Sequence, residues 1–504
     1  MTPLGTLVRG VLALEPGAPA IEFEHRWWTW GELSRIVEGL DGAFEAAGLG
    51  AGARIGSLMR NHVLVAGLAI ELVVSDRCMV TLNPGMPDDR LGSEIRNVKP
   101  PALVGLERDW ERPAVREAAG SVGCLGVMLC DDPERPVRLV PGLEIVRGTD
   151  LNREAPGIVI EMLTSGTTGP PKRIPLKATS FSRGILEAGV FDGRAVDDPP
   201  RLRSGVQVLN TPFAHIGGLF GLFNCLSAGR RSSLLERFTV ESWTDAVRRH
   251  RPKAAGAPPS ALRMILDADV PKEDLASLVV FRVSTAPLEP ELADEFYERY
   301  GIPVLQNYGA TEFAGGVAGW TLADFKAHHQ DKRGSVGRLN PGVEGRIVNP
   351  DTGEVLAHGQ EGLLELRAPQ LLDGKTWVRT MDVCVLDADD FLWIKRRYDN
   401  AIVRGGFKVM PDDVVRSLEQ HPAIREAAVV GVRDDRLGQV PVAAFRVRSG
   451  ASAPSEAELK EFLRTRLMPY QVPARFLAVE DFPRTPSMKV SQPDLKALFD
   501  AAPS

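Results

Sequence analysis

Between residues 163 and 172 the chain reads Leu-Thr-Ser-Gly-Thr-Thr-Gly-Pro-Pro-Lys, entered directly from the apolar run Gly157 to Met162. Gly166 and Gly169 let the backbone turn through positive φ and bring N–H groups close to an anion. Thr164, Ser165, Thr167 and Thr168 add hydroxyl donors, and Lys172 adds a point charge. This is chemistry for a phosphate chain. It is not a Walker loop, because Pro171 stands where that motif needs Gly followed by Lys and Ser/Thr. The same residue types also make ordinary surface loops, so the stretch has to be weighed with the rest of the chain.

Two further stretches carry candidate chemistry. In Pro212-Phe-Ala-His-Ile-Gly-Gly-Leu219, Gly217 and Gly218 are expected to leave open space beside the His215 imidazole, as at a substrate entrance. A lone histidine is more often a packed or surface residue than a functional one. The segment has no Asp to pair with an α-ammonium, which argues against an amino-acid substrate. In Gln306-Asn-Tyr-Gly-Ala-Thr-Glu312, Tyr308 offers a face for stacking an adenine. Thr311 offers a phosphate donor, and Glu312 an oxygen for magnesium, which takes one or two carboxylates plus phosphates. A plain turn with a solvated Glu would read the same.

These residues need elements to hold them. Ile21 to Trp30 reads as a hairpin about His25-Arg26. Leu33, Ile36, Val37, Leu40 and Phe44 recur at helical spacing, with Gly48 as the stop. Short apolar runs alternate with amphipathic helices through Ile55–Met59, His62–Val74, Met86–Val98 and Ala102–Gly105. The pattern resumes at Val206–Asn210, Ser232–Leu235, Val279–Val283 and Val304–Gln306. Such alternation predicts β/α crossovers and a largely parallel sheet. From Gly342 to Arg367, short strands and an Asn-Pro-Asp-Thr-Gly turn predict a small antiparallel sheet or barrel. After Asp399, strands at Ile424–Val432, Pro441–Val447 and Phe476–Val479 and helices at Pro411–Glu419 and Ser455–Leu467 predict a compact α+β unit. The fold class is therefore α/β, with a large N-terminal domain at 1–398 and a small α+β domain at 399–504.

Composition narrows the partners. The 504 residues suffice for several domains. A net charge of −6 leaves no basic footprint for nucleic acid. The five cysteines (Cys78, Cys124, Cys130, Cys225, Cys384) form no C-x-x-C pair and read as buried thiols in a reducing compartment. Met1 to Gly10 lacks a signal-like core, and His62–Val74 is short and carries Glu71. A cytoplasmic protein with no membrane partner is expected, with a homodimer as the commonest soluble assembly.

Taken in order, seven separated stretches from the hairpin near Trp30 to Lys489 resemble the adenylate-forming superfamily, in its acyl-CoA synthetase branch. The resemblance implies that Thr164 to Lys172 holds the phosphates of ATP, with Thr167 and Lys172 in catalysis and Thr167 joining Glu312 at magnesium. Ser284, Ala286 and Pro287 would line the adenine and acyl pocket beside Asn307, Tyr308, Gly309 and Thr311. His215 would gate the approach of the carboxylate. Phe213, Ala214, Gly217, Gly218 and Ala310 would shape a roomy apolar pocket, suited to a bulky aromatic, polycyclic or terpenoid acid as well as to a fatty acid. Asp382 would accept from both ribose hydroxyls and Arg397 would donate to them, although a salt bridge would use the same two groups. Asp399 would be the hinge, Gly405 and Gly406 would line the pantetheine tunnel, and Lys489 would serve adenylation.

Such an enzyme joins a carboxylic acid to AMP, then passes the acyl group to the thiol of CoA; its cofactors are ATP or acyl-AMP, CoA and magnesium. Three glycines of the family pattern are replaced here, by Met381, Arg396 and Met488. If those positions need φ > 0, each side chain costs ~1–2 kcal/mol. Adenylation is then expected to be weakened or lost, with transfer from acyl-adenylate to CoA retained. A fully competent two-step synthetase, an enzyme loading a carrier protein, and a non-catalytic protein that binds acyl-adenylate or CoA are the alternatives.

Overall fold

The computed structural model describes residues 2–163, 173–189, 198–284, 286, 288–313, 315–371, 374–398, 402–404, 407–434, 436–485 and 489–501, with backbone only at 403, 407, 408 and 501. Of the residues singled out above, Thr164 to Lys172, Pro287, Asp399, Gly405, Gly406 and Met488 lie outside the described residues. The chain forms two compact units. One comprises the described residues up to Glu344 together with Arg367–Val378; the other comprises Gly345–Leu366 and the residues from Arg379 onward. In this division the small antiparallel sheet is grouped with the C-terminal residues.

The first unit is built on a seven-stranded sheet. Arg54–Leu58, Cys78–Leu82, Ala102–Leu106, Leu125–Leu129 and Ile158–Leu163 run parallel, and Val137–Leu139 and Arg173–Lys177 close the two edges antiparallel. Every residue of the first three strands is buried, as parallel strands covered on both faces must be. The helix Val63–Val74 is apolar on all sides and buried along its whole length. Its one charge, Glu71, is met by the buried guanidinium of Arg77, which also reaches Asp41 and Glu45.

In a second sheet, Arg203–Leu209 and Arg230–Leu234 run parallel with Pro19–Phe23, which turns back into Arg26–Thr29. The hairpin turns at Glu24 and His25, both at positive φ, one residue earlier than the sequence pattern indicates. Two left-handed residues give a turn whose twist matches that of its strands. Thr29 and Glu32 then form a capping box that starts the helix Trp30–Ala46. The third sheet runs Ala254–Gly256, Val280–Val283 and Val304–Ala310 in parallel, then adds Gly315–Gly319 and Arg338–Leu339 antiparallel.

A four-stranded sheet follows, from Glu344–Val348, Glu361–Arg367, Val378–Leu386 and Leu392–Arg397 in that order. The C-terminal strands Phe407–Val409, Ile402–Arg404, Gly438–Val447 and Ile424–Asp434 make a further sheet, with Phe476–Ala478 beside Gly438–Val447. Helices Pro411–Glu419 and Glu456–Arg464 pack on it as the sequence pattern predicts. The helices Pro3–Leu12 and Gln492–Ala501 are additions that the pattern did not reveal. All five cysteines are buried free thiols. No described helix is long and apolar enough to cross a membrane.

Candidate active site

In the first unit the candidate residues gather where parallel strands end. Val283 lies opposite Gln306, so Ser284 and Asn307 leave the parallel ladder side by side. The sequence pattern ends this strand at Gln306; instead the strand continues to Ala310 by pairing antiparallel with Gly315–Gly319. Tyr308 is half-buried there, with its ring edge-on to Phe313 at 5.9 Å. A single turn, Thr311–Phe313, then presents Glu312 as an exposed carboxylate. Among the described residues no cluster of three His, Cys, Asp or Glu side chains could hold a metal by itself. Glu312 fits magnesium as one carboxylate completed by phosphate oxygens.

Gly309 is exposed, but the side on which a Cβ would stand is closed. A Cβ there would overlap the Gly315 carbonyl, so the glycine permits close approach of two strands. The same correction applies beside His215. Gly218 is buried, and a Cβ on it would overlap the Pro212 carbonyl and crowd Thr211. Phe213 is wholly buried in the core and Ala214 nearly so, which takes both out of any open pocket. Gly217 and Ala310 stay half-buried, as does Ala286.

His215 is the N-cap residue of the helix Ile216–Ser227, with extended backbone (φ −121°, ψ 149°) and no side-chain cap bond. Its N–H donates to Pro212 O at 3.0 Å and its carbonyl accepts from Gly218 N at 3.0 Å. The imidazole therefore stands at the positive end of a helix, a place that favours an approaching carboxylate. The same helix carries Phe220, whose ring lies beside Gly315. The histidine segment and the Tyr308 strand thus share one packing neighbourhood.

The strands at either end of the phosphate-loop sequence are clamped by charges that the sequence reading missed. Leu163 and Arg173 are cross-strand partners. Arg54, nearly buried, forms a bidentate pair with Glu161 at 2.9 and 2.6 Å. Arg173 donates to the carbonyls of Thr81 and Glu161 at 3.1 Å each and to Glu94 at 2.5 Å. The available signal was Glu161 itself, a carboxylate interrupting an apolar strand. Asn61 was missed in the same way: it is buried in the turn after Arg54–Leu58 and bonds to the histidine segment.

In the second unit, Asp382 and Arg397 are direct cross-strand partners in Val378–Leu386 and Leu392–Arg397. Their charged groups are 3.7 Å apart, with Asp382 largely buried and Arg397 half-exposed. The backbone N–H of Arg397 donates to Asp412, at the start of Pro411–Glu419; burial pushes that carboxyl up, against the attraction of Arg416. Lys489 is exposed, yet crowding first and the like charge of Arg397 second hold its ammonium below the usual lysine range. Its substantial exposed surface makes the crowding partial. A β-bridge between Arg484 and Val490 closes the base of its loop, and Arg484 is anchored to Glu426 at 2.8 Å.

The strain expected at Met381 and Arg396 is absent. Neither has positive φ, and both lie in strands, where any side chain is tolerated. Met381 is exposed, and Arg396 pairs with Glu361 at 2.5 Å.

Comparison with known proteins agrees with this geometry. The AMP-binding enzyme family model matches residues 10–374, and the AMP-binding enzyme C-terminal domain matches residues 416–489. The 4-coumarate--CoA ligase-like 2 of Arabidopsis thaliana is 28% identical, covering 93% of this chain and 85% of its own. The 4-coumarate--CoA ligase 3 of Oryza sativa subsp. japonica is 32% identical, covering 71% of this chain and 68% of its own. Among solved structures, the amide bond synthetase McbA from Marinactinospora thermotolerans superposes with a TM-score of 0.78 at 26% identity, covering 99% of this chain and 100% of its own. With family matches in both parts of the chain and CoA-ligase relatives along most of it, this protein belongs to the AMP-binding, adenylate-forming enzymes, in their acid–thiol ligase branch.

Proposed function

We propose that the protein is an acyl-CoA ligase that runs both half-reactions, activating a carboxylic acid as its adenylate and passing the acyl group to CoA. The observation that carries the reading is the side-by-side exit of Ser284 and Asn307 from adjacent parallel strands, with Tyr308 and Glu312 just beyond. Ligands of open α/β sheets bind beyond the carboxyl ends of such strands. Tyr308 would stack on the adenine, Asp382 and Arg397 would hold the ribose, and Thr164 to Lys172 would hold the phosphates. His215 would admit the substrate carboxylate. One carboxylate oxygen attacks the α-phosphorus and the bond to pyrophosphate breaks. Lys489 would balance the charge that develops there. The CoA thiolate then adds to the carbonyl carbon, and AMP leaves with the electron pair of the C–O bond. Magnesium, when bound, neutralises phosphate charge. Rotation about Asp399, between 1–398 and 399–504, would exchange Lys489 for Gly405 and Gly406 between the two steps.

The narrower reading, with adenylation weakened, loses support at Met381 and Arg396 and leans on Met488. The names of the relatives favour an aromatic acid as substrate. The test supplies 4-coumarate, benzoate or octanoate with ATP, magnesium and CoA, and follows pyrophosphate, AMP and thioester by mass spectrometry. Thioester formed with equal AMP supports the reading. Amide from an added amine, without thioester, would replace it with amide synthesis. Thioester from synthetic acyl-adenylate alone would restore the weakened-adenylation reading, and nucleotide binding without either product would mark a non-catalytic protein.

A further inference from the structure

Asn61 lies in the turn between the strand Arg54–Leu58 and the helix Val63–Val74, and is only 4% exposed. Its amide nitrogen donates to Thr211 O and Leu235 O, each at 3.1 Å. Its amide oxygen accepts from Phe213 N at 2.8 Å. Reversing the amide would set its oxygen against two carbonyls and its NH2 against an N–H, so the neighbours define its orientation. Thr211 and Leu235 follow the paired parallel strands Arg203–Leu209 and Arg230–Leu234. One side chain, from a turn that leaves the seven-stranded sheet, therefore ties together the segments that follow two strands of another sheet.

The segment it holds leads straight to His215. Asn61 fixes residues 211 and 213, while the lack of a Cβ on Gly218 lets the helix Ile216–Ser227 close onto Thr211 and Pro212 from the other side. Between these two restraints the chain from Thr211 to His215 has little freedom, and the His215 N–H is bonded back to Pro212 O. We propose that Asn61 is a positioning residue for acyl-substrate entry: its amide sets the segment that presents His215 to the substrate carboxylate. The inference rests on the reading of His215 as the gate. An aspartate would keep only the bond from Phe213 and would set a negative oxygen against two carbonyls; an alanine would lose all three bonds.

The experiment compares Asn61→Ala, Asn61→Ser, Gly218→Ala, His215→Ala and the double variant Asn61→Ala/His215→Ala in the full chain. It uses 4-coumarate as the probe acid and measures kcat, KM for acid, KM for ATP and melting temperature. Asn61→Ala should raise the acid KM about 10- to 100-fold, part of the worth of its three lost hydrogen bonds, while the ATP KM changes less than about 3-fold. The double variant should be no worse in acid KM than His215→Ala alone, because both changes disable one device. A purely structural role would lower the melting temperature and the active fraction, would raise both KM values together or neither, and would add to His215→Ala. Should Asn61→Ala fail to fold, Asn61→Ser and Gly218→Ala, which disturb the same segment from its two sides, must show the same selective rise or the proposal is overturned. If His215→Ala leaves the acid KM unchanged, the gate reading itself has failed. If His215→Ala raises it and the Asn61 variants do not, only the role of Asn61 is overturned.

Discussion

Asp382 and Arg397 face each other across an antiparallel pair of strands, with 3.7 Å between carboxylate oxygen and guanidinium nitrogen. That is longer than a direct hydrogen bond, so the two groups meet as an ion pair. A ribose whose hydroxyls donate to Asp382 and accept from Arg397 would engage both partners of this pair. Arg397→Ala should raise the ATP KM by about 10- to 100-fold, the worth of a charge-assisted hydrogen bond. The melting temperature should barely move, since an ion pair with a half-exposed arginine contributes about 0–1 kcal/mol. A large fall in melting temperature with an unchanged KM would make the pair a structural bridge and nothing more.

Lys489 shares that neighbourhood, and the sign of its shift sets a pH dependence. Crowding and the like charge of Arg397 lower its pKa, so its ammonium is lost at lower pH than a free lysine would lose it. Adenylation, read as pyrophosphate exchange, should fall on the alkaline side of the profile as that proton leaves. Arg397→Gln removes the like charge and should move this limb to higher pH, even while it weakens nucleotide binding. Lys489→Ala should lower exchange by about 10²- to 10³-fold and leave thioester formation from acyl-adenylate within about 3-fold. An alkaline limb that ignores Arg397→Gln would sever the electrostatic link.

Much of this arrangement was legible in the chain, and the misses share a physical cause. Motif residues at strand ends could be placed because short apolar runs alternate with helical spacing, and Asp382 and Arg397 could be paired because their roles are complementary. Gly218 and Gly309 misled because a glycine reads the same whether it borders a cavity or a carbonyl; only the tertiary neighbour tells. Met381 and Arg396 misled because φ is set by strand pairing, which their local sequence does not display. Asn61, Arg54 and Arg173 escaped notice because their partners lie far away in sequence.

Inside the first unit, Glu71 gives a stability prediction independent of catalysis. Burial raises its pKa from 4.5 to about 7, outweighing the attraction of Arg77. The folded state thus holds this proton more tightly than the unfolded state does. The resulting stabilisation is complete below the unfolded pKa and is lost as pH rises through about 7. Thermal melts of wild type against Glu71→Gln should show the wild type losing ground by on the order of 1–3 kcal/mol between about pH 4.5 and 7.5. Arg77→Met should cost most toward the alkaline end of this range, approaching about 3–5 kcal/mol as Glu71 ionises without its buried partner, and less at the acid end, where Glu71 is neutral. A wild type that gains on Glu71→Gln as pH rises would mean that Arg77, not burial, governs the carboxylate.

The replaced glycines can be separated by reversion. Met381 and Arg396 lie in extended strands without positive φ, and Arg396 has an ion-pair partner in Glu361. Met381→Gly and Arg396→Gly should therefore leave pyrophosphate exchange within about 2-fold. Each should lower stability slightly, because glycine in a strand loses about 0.5–1 kcal/mol through chain entropy. Met488→Gly is the informative change, since it alters the residue directly before the lysine. If Met488 hinders Lys489, reversion should raise exchange while thioester formation from synthetic acyl-adenylate stays constant, and the gain should vanish in a Lys489→Ala background. If Lys489 reaches the phosphates unhindered, exchange in Met488→Gly should match the wild type, and the chain runs both half-reactions with methionine in place. A rise in exchange for Met381→Gly or Arg396→Gly would instead return the steric burden to the strands, against their extended backbone.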